Sequence, residues 1–234
     1  MKKYTNKILA ALIILLTIIV LSVPISIWIN ASLIKPTPAL NPQQLSRADL
    51  NYKDFTALNI RGAWQVQILP GAFKIELNDQ QNTQYLSLNQ QTLTLDNSKL
   101  APNHPMASIL IHLPTLNGLN ISGANKVTVN DFKSTDMAKL SLDLAGASEL
   151  NINNSSYPNV NIDMSGSSTL KFSHSILEHV NLDLSGVSTL ELDQLVHGKL
   201  SGSSSGLTNI HYNGSLDENT LDSSGLSNIS GTNN

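Results

Sequence analysis

Cysteine is absent from the 234-residue chain. That excludes a disulfide framework, a thiolate metal site, a cysteine nucleophile and a lipid-modified cysteine after an apolar leader. Stability has to come from packing and hydrogen bonding. Arginine is nearly absent as well, with only Arg47 and Arg61, and the formal net charge is −3. No basic stripe is available, so a nucleic-acid partner is not expected. The six histidines, His104, His112, His174, His179, His197 and His211, lack paired metal-ligand spacing and read as surface or loop residues. No cofactor is implied.

Charge is missing from one long stretch. Ile8 to Ile29, "ILAALIILLTIIVLSVPISIWI", has no charged residue in 22 positions. As a helix it extends about 33 Å, enough for a hydrocarbon core of about 30 Å. Lys2, Lys3 and Lys7 precede it and no lysine follows until Lys35, which orients residues 1–7 toward the cytoplasm and the remainder outward. Tyr4 and Trp28 stand near the two interfaces. The alternative is a cleaved signal peptide, favoured by Pro24, although the run is long and the best cleavage point, after Ala31, has Ile29 at the minus-three position. The expectation is a single-pass anchor over 8–29, with the domain in the periplasm or extracellular space. The alternative secretes it. Residues 30–50, with Pro36, Pro38 and Pro42, suit an extended spacer whose last residues could equally belong to the domain.

A helical period is missing from residue 52 onward, and a period of two replaces it. "WQVQIL", "FKIEL", "YLSL" and "TLTL" alternate apolar and polar residues, the pattern of strands with one buried face. Residues 51–234 are expected to form an all-β domain. Within it a unit recurs: an alternating strand, a glycine among small residues, a second alternating strand. It reads "LNISGANKVTV" at Gly123, "LDLAGASELNI" at Gly146, "IDMSGSSTLKF" at Gly166, "LDLSGVSTLEL" at Gly186, "SSSGLTNIHY" at Gly206 and "LDSSGLSNIS" at Gly225. These glycines are 23, 20, 20, 20 and 19 residues apart. A strand unit repeating at this spacing predicts a parallel β-helix-like solenoid of about 20 residues per coil, each coil burying its apolar face on its neighbours. Val160, Ile162, Met164, Leu170 and Phe172 share one side, and Val180, Leu182, Leu184, Leu190 and Leu192 recur one coil later. The glycines mark a tight corner that needs positive φ, with serine able to bond the turn; Gly62 is an earlier example. A β-sandwich of regularly spaced strands is the alternative.

Residues 55–231 resemble the putative autotransporter adhesin, head GIN domain family. The resemblance rests on "FTALNIRGAWQVQILPG", "IHLPTLNGLNISGANKV" and the repeated "SG-x-S-x-L" units. It implies a right-handed β-helix-like domain behind a signal or anchor segment, with an adhesin role inferred for the family. Its motifs form the fold and carry no active-site residues to transfer.

Two patterns invite chemistry. "GSSSG", Gly202 to Gly206, matches a hydrolase elbow with Ser204 as nucleophile, but the last histidine, His211, precedes Asp217 and Asp222, so the required order of acid then histidine fails. Asp143, Asp163 and Asp183 each lie three residues before a repeat glycine on the outward parity, with Asp222 in the same place beyond Ser203. Like charges about 4.8 Å apart in water repel by about 0.9 kcal/mol, so a solvated ladder is tolerable. A weak calcium site on Asp143, Asp163 and Asp183 is the alternative reading. Ser141, Asn161 and Asn181, two residues earlier, either add oxygens to such a site or form a structural amide ladder. A polysaccharide-acting enzyme needs cations near its substrate, yet residues 130–234 offer only Lys133, Lys139, Lys171 and Lys199. The chain therefore reads as a non-enzymatic, adhesin-like binding domain making multivalent polar contacts with an envelope protein or glycan. A structural envelope component is a further alternative. Leu226 and Ile229 in the last unit are expected either to pair with another chain or to be capped by the short tail Gly231 to Asn234, with self-association favoured.

Overall fold

The computed structural model describes residues 46–47, 52–101, 104–134 and 139–232. The proposed anchor at 8–29 lies outside the described residues, and among these no helix is long and apolar enough to cross a membrane. The described chain is β throughout, apart from a short 3₁₀ helix at Gln80–Tyr85. Its strands are β1 (Ser46–Arg47), β2 (Ala57–Gly62), β3 (Trp64–Pro70), β4 (Lys74–Leu77), β5 (Leu86–Asn89) and β6 (Thr92–Asp96). Then follow β7 (Ala107–Leu113), β8 (Gly118–Gly123), β9 (Lys126–Asn130), β10 (Lys139–Gly146), β11 (Glu149–Asn153) and β12 (Ser156–Met164). The last are β13 (Ser167–Ser173), β14 (Ile176–Leu184), β15 (Val187–Ser204), β16 (Leu207–Ser223) and β17 (Leu226–Thr232).

Two parallel sheets run the length of the stack. The first passes β6, β2, β8, β10, β12, β14 and then the second halves of β15 and β16. The second passes β7, β3, β9, β11, β13 and then the first halves of β15 and β16, ending on β17. Identical repeat positions are in register: Ile162 opposite Leu182, Asp163 opposite Asp183, Leu170 opposite Leu190. The β-solenoid is therefore the observed architecture, and the sandwich alternative is set aside. One core runs along the axis, with Leu142, Ile162 and Leu182 from one sheet and Ile152, Phe172 and Leu192 from the other at most 2% exposed. Burying these alternate residues is what the period of two achieves, at roughly 1.5–3 kcal/mol for each large side chain.

Each coil turns at two corners. At the first stand Gly62, Gly123, Gly146, Gly166, Gly186, Gly206 and Gly225, all with positive φ. The second serine of the "SG-x-S" unit does not face solvent. Ser148, Ser168 and Ser188 are buried, and each hydroxyl donates to the carbonyl three residues before it. That is a local side-chain bond in place of water. The second corner has no constant residue type: Asp131, Asn154, His174 and Gln194 all adopt positive φ there.

The stack does not follow chain order at its start. The coil of β2 and β3 lies between that of β6 and β7 on one side and that of β8 and β9 on the other. Where β6 passes the glycine column Asn97 takes over: its side-chain oxygen accepts from Ala63 N at 2.8 Å and its nitrogen donates to Ala63 O at 3.0 Å. An amide side chain thus replaces a neighbouring backbone. Antiparallel β5 on β6, and β4 on β7, close this end. β1 pairs antiparallel with β4, so Ser46 and Arg47, within the stretch read as spacer, belong to the domain.

Candidate ligand-binding face

The outward side of the first sheet carries three columns set by the strand alternation. Counting back from the repeat glycine, the first lies three residues before it, the second five and the third seven.

The column three residues back is acidic. Asn120, Asp143, Asp163, Asp183, Ser203 and Asp222 stack in register. Asn120 donates to Asp143 at 2.8 Å and Ser203 donates to Asp183 at 3.1 Å, so each outer carboxylate has a neutral donor beyond it. Asp163 lies between two carboxylates. Partial burial, then the charges of Asp143 and Asp183, hold its pKa above the ordinary value of 3.8. Among the described residues no group of three or more His, Asp or Glu side chains is arranged to hold a metal ion.

The sign of the Asp163 shift fixes a prediction. The folded state holds this proton more tightly than the unfolded state does, so its contribution to stability is fully present below 3.8 and is lost as pH rises through the raised folded value. At pH 7 the charge is a small net cost. Asp163→Asn is therefore expected to leave the melting temperature at pH 7 unchanged or slightly higher, and to remove part of the gain on mild acidification. Melting curves of both proteins from pH 7 to pH 4 check this. A clear loss of stability in the variant at pH 7 contradicts it.

The column five residues back is Ser141, Asn161, Asn181, Ser201 and Thr220. Ser201 donates to the Asn181 side-chain oxygen at 3.2 Å. The column seven residues back is Lys139, Asn159, His179, Lys199 and Glu218. Lys199 and Glu218 pair at 3.3 Å. Between these last two columns runs an open furrow of about 480 Å³. Its five rungs span about 19 Å at the ordinary strand spacing of about 4.8 Å. Reading the sequence located the acidic and amide columns but missed the Lys139 wall. A constant offset from each glycine marks that wall, but its residue type changes at every coil.

Other candidates resolve differently. Ser204 is 1% exposed and faces the interior, where its hydroxyl meets those of Thr208 and Ser227, so it is not presented as a hydrolase nucleophile. None of the six histidines is buried. His197 meets Asp217 at 3.0 Å, and that bond is the largest cause holding the Asp217 carboxyl below its ordinary range. His211 bonds Ser230 at 3.3 Å.

The class these features define is a parallel β-solenoid with a mainly apolar core and polar, repeating outward columns. The chain belongs to the family described as putative auto-transporter adhesin, head GIN domain, whose sequence profile matches residues 54–233. A putative adhesin from Bacteroides fragilis NCTC 9343 has a similar fold, with a TM-score of 0.60 at 18% identity over 85% of this chain and 100% of that one. A putative adhesin from Parabacteroides merdae ATCC 43184 aligns with a TM-score of 0.41 at 12% identity over 82% and 98% of the two chains. A putative lipid binding protein from Parabacteroides distasonis ATCC 8503 aligns with a TM-score of 0.45 at 11% identity over 80% and 96%. No curated protein matches the chain.

Proposed function

We propose that this chain is a non-enzymatic, adhesin-like binding domain held outside a membrane by residues 8–29, and that it engages a polar envelope polymer along the furrow. The furrow carries the reading: it offers hydrogen-bonding side chains at every coil and no enclosed reaction site. The scarcity of cations, with Lys133, Lys139, Lys171 and Lys199 alone after residue 130, supports binding over catalysis. Contacts of this kind are individually weak, so attachment gains from several chains in one membrane.

Retention of envelope fragments by the immobilised full chain tests the reading. The double variant Asn161→Leu, Asn181→Leu fills the furrow from outward positions, and is expected to lose retention while keeping its melting temperature. Unchanged retention by that variant places the contact elsewhere. Anchoring is tested by intact-mass measurement of the exported protein, and a mature chain starting near Ser32 overturns it.

A further inference from the structure

The furrow has a direction and a period, and together with its charge they select among polymers. Its walls are columns of the solenoid, so it runs along the stacking axis and offers one set of polar groups per coil, about 4.8 Å apart. An extended peptide presents side chains on one face every two residues, about 6.6–6.8 Å, and meets the rungs in step at best about every third coil. An extended chain of 1,4-linked pyranose rings has a ring repeat close to the strand spacing that sets the rungs, and so advances by about one rung per ring. The chemistry agrees. Asn161, Asn181, Ser201 and Thr220 supply both donors and acceptors, as hydroxyl groups require. Behind them Val160, Val180 and Leu200 are at most 1% exposed, so no large apolar side chain stands open to a bound chain.

The charges define an edge. On the outer wall Lys199 is matched to Glu218, whereas Lys139 forms no ion pair among the described residues, and His179 stands between the two lysines. On the far side of the amide column lie Asp143, Asp163 and Asp183. A bound chain with carboxylates is drawn to the lysine wall and repelled from the aspartate column, which fixes how each ring faces.

We infer that the furrow takes a linear, carboxylate-bearing glycan, about one sugar ring per coil, with its carboxylates toward Lys139, His179 and Lys199. This rests on the furrow being the binding surface.

Oligogalacturonides of two to eight rings, titrated against the full chain at low salt, provide the test. Affinity is expected to rise with each added ring to about four and then level off, because the fifth rung presents Glu218, the four-ring compound binding more than about tenfold tighter than the two-ring one. Lys139→Gln is expected to weaken binding by about three- to tenfold with no change in melting temperature. Lys171→Gln, on the other sheet, is expected to leave it unchanged. A neutral oligosaccharide of equal length is expected to bind more weakly than its acidic counterpart. An affinity independent of length overturns the ring-per-coil match, and equal binding of poly-glutamate overturns the choice of a glycan. If no oligogalacturonide binds while furrow-dependent retention of envelope fragments persists, this inference fails and the proposed function stands. Loss of both removes the two together.

Discussion

Gly166→Ala is expected to cost about 3 kcal/mol or more, among the largest effects of any single methyl group added to this chain. Two independent causes combine. Gly166 has φ of +81°, a region that costs an alanine roughly 1–2 kcal/mol. A Cβ there also lies 2.6 Å from the carbonyl oxygen of Gly146 and 3.0 Å from its nitrogen. Both atoms are backbone, so no side chain can swing aside. Relief would require the two coils to separate, with loss of strand bonds on either side of the corner. Gly186 repeats the arrangement one coil later, with 2.5 Å to the carbonyl of Gly166. Gly118 provides the contrast: it lacks positive φ, and its added Cβ lies 3.4 Å from the Cβ of Ala57. Urea unfolding of Gly166→Ala and Gly118→Ala side by side checks the claim. Similar midpoints for the two would show that the corner tolerates a side chain.

The same corner explains what could be read from sequence. Glycine recurs because each repeat approaches the previous glycine closely, so it is visible as a period, and the period gives the solenoid. The inward columns were equally legible, because apolar residues must recur at Ile162, Leu182, Leu170 and Leu190 for coils to stack. The start of the stack was not legible. At the β6 coil the glycine position is served by the Asn97 side chain, which bonds Ala63 without repeating any letter. The second corner was hidden for a similar reason: Asp131, Asn154, His174 and Gln194 share a backbone conformation but no side chain. The acidic column could be found because it repeats one residue type. Its neutral ends, Asn120 and Ser203, required the hydrogen bonds to be seen.

Phe172→Ala is expected to cost about 3–5 kcal/mol, because it removes a wholly buried ring from the middle of the axis. The outcome depends on direction along the stack. Toward the first coils Phe172 follows Ile152, within an apolar column. Toward the last coils the interior turns polar: the column Leu144, Met164, Leu184 continues as the buried Ser204 and ends at the exposed Ser223. The column Leu142, Ile162, Leu182 reaches Gly202 before returning to Leu221. The buried hydroxyls of Ser204 and Thr208 bond each other and the half-buried Ser227, but Ser204 contributes less than Leu184, the residue before it in its column. Each coil is stabilised mainly by its neighbours, so a cavity at Phe172 weakens the link between a strong apolar half and a weaker polar one. The variant is therefore expected to unfold in two steps, with the amides of β16 and β17 losing protection before those of β8 to β11. Native-state hydrogen exchange on the parent chain should already show that order, and the substitution should widen the gap. A single cooperative transition with uniform protection in the variant would mean that the two halves remain coupled through contacts other than the axial core.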